Sequence, residues 1–191
     1  NDFSGEAAVI IDFSNHLGTK DLLDYAVKNN IPTVVATTGH TDEELEYIKK
    51  AGEKIAVFHS ANMSLGVALL CELAVKAAAT MPDADIEIVE THHNRKLDAP
   101  SGTALMIANA IRTVREKAQL VFGREGMQKR EKDEIGVHAV RRGNIVGIHE
   151  VLVSTDSQTI TLKHEAHSRA LFAEGAVSAA EFILGKGAGL Y

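Results

Sequence analysis

Apolar and polar positions alternate in blocks along the first third of the chain. An apolar run Val9–Phe13 is followed by an amphipathic stretch Thr19–Asn29, a run Thr33–Thr37, a stretch Thr41–Ala51 and a run Ile55–His59. The pattern predicts β-α-β-α-β. Short apolar runs joined by helices of about ten residues imply right-handed crossovers and a parallel sheet covered on both faces. Thr19 and Thr41 mark the helix starts, with Glu43 and Glu44 in the first turn after Thr41, where the helix dipole favours acids. Ligands of such sheets bind beyond the carboxyl ends of the strands, here Phe13–Asn15, Thr37–Gly39 and Ser60–Met63.

The pattern then changes. Ser64–Thr80 is apolar almost all round, which predicts a largely buried helix. Beyond it the spacing predicts a strand Ile86–His92, a loop Asn94–Gly102, a helix Thr103–Lys117 and a solvent-facing charged loop Arg124–Glu134. Two strands are expected to meet in a hairpin at Gly143-Asn144, and a third, Thr159–Glu165, follows a turn at Asp156-Ser157. Arg169–Leu184 closes the chain as an amphipathic helix. The move from βα alternation to hairpins marks a second, α+β lobe.

Composition narrows the function. The chain has 191 residues and a formal charge of −6, so it lacks the broad basic footprint of a nucleic-acid binder, and an anionic ligand needs a local positive pocket. Cys71 is the only cysteine, which excludes an internal disulfide framework and fits a reducing cytoplasm. The most apolar stretch, Leu65–Cys71, is far short of the roughly 20 residues that span a bilayer, so no membrane partner is expected. The chain opens on Asn1 and ends on a glycine-rich run to Tyr191, and both ends are expected to be cut.

Candidate chemistry concentrates in Glu90-Thr91-His92-His93-Asn94-Arg95-Lys96-Leu97-Asp98-Ala99-Pro100-Ser101-Gly102-Thr103, between a strand end and a helix start. Two imidazoles serve proton transfer near neutral pH, and Lys96 supplies a cation. Pro100 restrains Ala99, while Ser101, Gly102 and Thr103 bring N–H groups and hydroxyls to the positive end of a helix, where a carboxylate is well held. Taken alone, Ser-Gly-Thr is more often only an N-cap, and adjacent strand histidines point to opposite faces, so one of the pair serves packing or positioning. Clustering is what favours function.

A metal site could draw on His92, His93, His164 and His167 with Glu90 or Glu165, but Lys96 would repel a cation, and no metal is expected. Cys71 reads as core, and His16, His40, His59, His138 and His149 as single surface or hydrogen-bonded core positions. Arg141 and Arg142 read as a solvated strand edge.

The run His92–Ala104 closely resembles the central motif of the bacterial dihydrodipicolinate reductases. Ala36-Thr37-Thr38-Gly39, Ser60-Ala61-Asn62-Met63-Ser64 and His164-Glu165-Ala166-His167-Ser168-Arg169 agree with the same family in order, and the likeness extends from about Val9 to Tyr191. The resemblance implies reduction of a cyclic dicarboxylic imine precursor with NADPH or NADH, in the diaminopimelate and lysine pathway, by a cytoplasmic homotetramer. It implies His92 as general acid/base and Lys96 as proton donor and carboxylate anchor. His93, Ser101, Gly102, Thr103 and Arg169 would contact the substrate, with Arg169 on the second carboxylate. Ala36, Thr37, Thr38, Ser60, Ala61, Asn62 and Met63 would contact the cofactor near its nicotinamide end.

The fold expected is α/β: a partial Rossmann-like parallel sheet plus a second α+β lobe with a mixed, hairpin-containing open sheet. Residues 1–62 would be the remainder of the dinucleotide-binding domain and 63–168 the substrate-binding and oligomerisation domain, with 169–191 a helix returning to the first. The family begins with a Gly-rich strand-turn-helix unit for the pyrophosphate, and nothing before Val9 matches it. The alternative is therefore a catalytically impaired substrate-binding and tetramerisation module. A metal-dependent hydrolase is a third reading, resting on the histidines alone.

Overall fold

The three apolar runs at the start become short parallel strands that pair in chain order: β1 (Ile10–Asp12), β2 (Thr33–Val35) and β3 (Ala56–His59). A computed structural model describes residues 5–191. Val34 and Val35 point to opposite faces of the sheet and both are buried, because helices cover both sides. On one side α1 (Thr19–Asn29) and α2 (Asp42–Gly52) pack Leu23, Ala26, Ile48 and Ala51 against Val35 and Val57. On the other, α5 (Ala170–Ile183) sets Ala176, Ala179, Ala180 and Ile183 against Val34 and Ala56. A Cβ on Gly175 would fall 1.7 Å from the Met63 carbonyl oxygen, so only glycine lets α5 approach the segment after β3 this closely.

Helix starts follow side-chain chemistry in part. Thr41 caps α2 with a reciprocal pair: its hydroxyl accepts from the Glu44 N–H, and the Glu44 carboxylate accepts from the Thr41 N–H at 2.7 Å. Thr19 is not a cap. It is the buried first residue of α1, behind Gly18, with its hydroxyl 2.9 Å from Nε2 of His40. The glycine-rich end carries no strand pattern, yet Gly189–Leu190 forms a further strand parallel to β3, because the edge of β3 offers free N–H and C=O groups.

This sheet belongs to a unit formed by the chain up to Ser64 with Ala170–Tyr191, and a second unit is formed by Leu65–Arg169. The second holds a five-stranded mixed sheet of β4 (Asp85–His92), β5 (Gln119–Phe122), β6 (Glu134–Arg141), β7 (Gly147–Ser154) and β8 (Thr159–Ala166) in the order β5-β6-β4-β7-β8. β4 is parallel to β6 and antiparallel to β7. Helices α3 (Leu65–Thr80) and α4 (Gly102–Arg112) supply Leu70, Ala74, Ile107 and Ile111 to a core with Ile86, Ile88, Val137 and Val151.

Three expectations fail here. Gly143-Asn144 is not a two-residue hairpin, since β4 lies between β6 and β7. The turn instead wraps the end of β4, where Arg142 N–H donates to the His92 carbonyl and His93 N–H to the Ile145 carbonyl. The predicted Thr103–Lys117 helix stops at Arg112, and the residues after it form β5, which the pattern missed. α3 is only half buried: Val67, Leu70, Ala74 and Ala78 face the core, but Leu65, Leu69 and Leu73 are exposed at i, i+4 and i+8. Cys71 is partly buried against the core, and burial pushes its thiol up. Among the described residues no helix is long and apolar enough to cross a membrane.

Candidate active site

The inward face of the second sheet starts as ordinary core and ends polar. Along β4, Ile86 and Ile88 face the helices, and Glu90 and His92 continue the same alternation to the strand's end. Register brings the neighbours in line. Arg141 of β6 pairs with His92, and His149 of β7 pairs with Glu90 on the other side. His164 of β8 stands opposite His149. Ser101 caps α4 above them, its hydroxyl accepting from the Ala104 N–H at 3.2 Å.

Glu90 is the centre of this cluster and is fully buried. One carboxylate oxygen accepts from the Ser101 N–H at 2.9 Å and from Arg141 at 2.7 Å, and the other accepts from Arg141 at 2.7 Å and from Nδ1 of His92 at 2.5 Å. Burial on its own would raise the acid's pKa. The bonds from His92, Arg141 and Ser101 outweigh burial and hold it down to about 2, so Glu90 is a carboxylate. Arg141 is therefore no solvated edge residue. Its guanidinium is spent on Glu90 and on the Asp98 carbonyl, which ties β6 to the loop before α4.

His149 lies 5.2 Å from His92, ring centre to ring centre, at an interplanar angle of 73°, with its Nε2 3.2 Å from the Ser101 hydroxyl. Burial, helped by the charge of His92, lowers its pKa to about 4, so the ring is neutral at pH 7. A Cβ on Gly147 would stand 3.0 Å from His92 Nε2, so the space beside that nitrogen exists because residue 147 has no side chain.

The loop from β4 to α4 adds positive charge. Lys96 meets the Asp98 carboxylate at 2.8 Å, and the hydrogen bond from Lys96 keeps that acid low. His93 is pushed down first by desolvation and then by the charges of Arg95, Arg169, His92 and Lys96, so four basic groups bear on one ring. Among the described residues its buried Nδ1 has no hydrogen-bond partner. Gly102 and Thr103 form the first turn of α4. His92, His93, Lys96, Ser101, Gly102, Thr103 and Arg169 all lie in the second unit. Sequence reading missed Arg141, His149 and Gly147 here, because what sets them beside Glu90 and His92 is strand pairing over about fifty residues.

Ala36, Thr37, Thr38, Ser60, Ala61, Asn62 and Met63 lie in the first unit, just past the carboxyl ends of β2 and β3. Buried Asp12 accepts from the Thr37 hydroxyl at 2.8 Å and from the Ser14 hydroxyl at 2.6 Å, which fastens the ends of β1 and β2. Ser60 donates its hydroxyl to the Asn62 carbonyl, and the Asn62 side chain accepts from the Ser64 N–H at 2.8 Å. His40 and His59 meet edge to face at the same strand ends, 5.5 Å between ring centres. Among the described residues no three His, Cys, Asp or Glu side chains converge as metal ligands.

Comparison with known proteins shows the family. Residues 1–63 match the family model described as the N-terminus of dihydrodipicolinate reductase, and residues 66–191 match the model of its C-terminus. A 4-hydroxy-tetrahydrodipicolinate reductase of Caldanaerobacter subterraneus is 50% identical over 97% of this chain and 75% of its own length, and one of Clostridium novyi is 46% identical over 97% and 74%. Among solved structures, a dipicolinate-bound dihydrodipicolinate reductase from Paenisporosarcina sp. TG-14 superposes with a TM-score of 0.80 at 29% identity, over 96% of this chain and 71% of that one. With two family models spanning nearly all of its residues and half of its positions shared with a curated relative, this chain belongs to the dihydrodipicolinate reductase family.

Proposed function

We propose that this chain, an oxidoreductase by family, reduces 4-hydroxy-tetrahydrodipicolinate to tetrahydrodipicolinate with NADPH or NADH, in lysine and diaminopimelate biosynthesis. The observation that carries the reading is the set of basic groups around His93, beside a His92 whose ring is held by a buried carboxylate. A dicarboxylate needs positive charge and an N–H-rich cradle, and the groups of the second unit that suit it are Lys96, held to Asp98 at 2.8 Å, Arg169 and the start of α4. His92 and Lys96 are the proton-handling groups. His93, Ser101, Gly102 and Thr103 line the carboxylate site, and Arg169 holds the second carboxylate.

The first unit suits the cofactor's nicotinamide end. Ala36–Thr38 and Ser60–Met63 offer hydroxyls, an amide and small side chains but no cation, which matches an uncharged carboxamide better than a pyrophosphate. When bound there, the reduced nicotinamide supplies the hydride. The chain's own residues then orient the dicarboxylate and deliver the proton. Positioning supplies roughly 7 to 11 kcal/mol of barrier reduction and a placed proton donor about 10² to 10⁴ in rate.

The enzyme acts as a homotetramer in the cytoplasm. The sheet face opposite α3 and α4, bearing His138, Val140, Glu150 and Lys163, has no helix of the second unit packed on it and is the surface for assembly; sedimentation velocity tests this. The functional test is calorimetry of the chain with pyridine-2,6-dicarboxylate, with and without NADH, followed by turnover. Stoichiometric binding of the mimic, abolished in Arg169→Ala, and reduction of substrate are expected. Absence of mimic binding overturns the reading.

A further inference from the structure

We propose that Glu90, clamped by Arg141, is a positioning residue that fixes the tautomer of His92, keeping a proton on Nδ1 and presenting Nε2 to the reacting molecule. The inference rests on the reading of His92 as the group that handles the proton. It begins with the donors around one carboxylate. Ser101 N–H, two guanidinium nitrogens and an imidazole nitrogen all reach Glu90, and an ionised carboxylate can only accept. Nδ1 of His92 therefore carries the proton in that bond, and in the neutral ring Nε2 is the bare nitrogen.

The clamp also makes the carboxylate immobile. Arg141 approaches with both terminal nitrogens, the fork geometry that fixes a carboxylate's plane as well as its place. Its backbone is held in register with His92 by the β4–β6 ladder, so carboxylate, guanidinium and imidazole are set by one rigid element. The charged and titratable groups around this cluster are Glu90 from β4, Arg141 from β6, His149 from β7, His164 from β8, and His93, Lys96 and Asp98 from the loop. His149 does not compete for the carboxylate, because its Nε2 is turned to the Ser101 hydroxyl. Nε2 of His92 lies on the side left open by Gly147.

Fixing the tautomer matters for the direction of proton flow. Loss of the substrate's hydroxyl as water leaves a C=C bond conjugated with the ring C=N bond. When hydride adds to the carbon that bore the hydroxyl, the C=C pair shifts along the ring and the C=N pair moves to nitrogen, giving an enamine that returns to the imine of the product once one proton is supplied. His92, protonated on both nitrogens, gives its Nε2 proton to the atom that gained density. It is left neutral with Nδ1–H still bound to Glu90, and a proton from water restores it. The opposite tautomer would offer its lone pair to Glu90 and could not close this cycle.

Two readouts test the assignment. In the ¹⁵N-labelled wild-type chain, long-range ring correlations of the neutral His92 ring are expected to show a protonated Nδ1 and a bare Nε2. The Glu90→Gln variant, whose amide N–H₂ can face Nδ1, is expected to invert that pattern. It should lower kcat by about 10²- to 10⁴-fold while KM stays within about threefold. Should Glu90→Gln not fold, Arg141→Lys keeps the charge but loses the fork, and a smaller fall in kcat at unchanged KM is expected. A wild-type ring protonated on Nε2, or a folded Glu90→Gln variant with wild-type kcat, overturns the proposal. If instead His92→Ala leaves turnover intact, the assignment of His92 itself falls, whichever tautomer the spectra show.

Discussion

Arg141 stands beside His92 in the parallel ladder of β4 and β6, yet its guanidinium reaches back to Glu90 and meets both carboxylate oxygens at 2.7 Å. The pair is buried on the Glu90 side, so removing the cation leaves a carboxylate with fewer donors in a dry site. Arg141→Met is expected to destabilise the protein by about 3 to 5 kcal/mol at pH 7. Urea denaturation followed by circular dichroism measures the loss, and a change below about 1 kcal/mol contradicts a buried clamp.

Acid should weaken the second unit in two stages. His149 has a folded pKa of about 4 against an ordinary 6.5, so the unfolded chain binds its proton first and stability falls as pH drops from about 6.5 to about 4. Glu90 has a folded pKa of about 2 against an ordinary 4.5, so the stability from its bonds is complete above about 4.5 and is lost as pH falls towards 2. Thermal melts from pH 7 to pH 3 should show Tm falling throughout. His149→Gln should flatten the upper part of the curve and leave the lower part.

Gly147→Ala tests the space beside His92. The added Cβ would sit 3.0 Å from Nε2 and 3.7 Å from Cε1 of His149, so the ring must yield by a few tenths of an ångström or be covered. The expected stability cost is about 1 to 3 kcal/mol. The expected kcat loss is at least tenfold, larger than the change in KM. Steady-state kinetics showing a pure KM effect would mean that Nε2 is not the working atom.

His92 and Arg169 should separate kinetically. His92→Ala is expected to lower kcat by about 10² to 10⁴ with a modest change in KM. Arg169→Ala is expected to raise KM by about 10- to 100-fold, the loss of a charge-assisted bond to a carboxylate, with kcat less affected. The reverse pattern reassigns the two roles.

Much of this molecule is legible one segment at a time. The periods of 2 and 3.6 separate the parallel sheet from the later strands, the Thr41–Glu44 box is written in four residues, and the run from His92 to Thr103 declares a polar loop before a helix start. Those signals are local because they come from backbone geometry and from side chains reaching their own neighbours. Leu65, Leu69 and Leu73 mark where this stops: apolar character told that α3 forms, but not which side finds a partner.

The sequence by itself determined the family, the order of elements through α3 and the residues of the loop from β4 to α4. Tertiary structure decided which strand lies between which, and with it that Arg141 and His149 flank Glu90 from two sides and that Gly147 leaves room for a ring. Strand pairing joins residues about fifty positions apart, and a charge is solvated or clamped according to what the pairing sets beside it. No window of neighbouring residues contains that information.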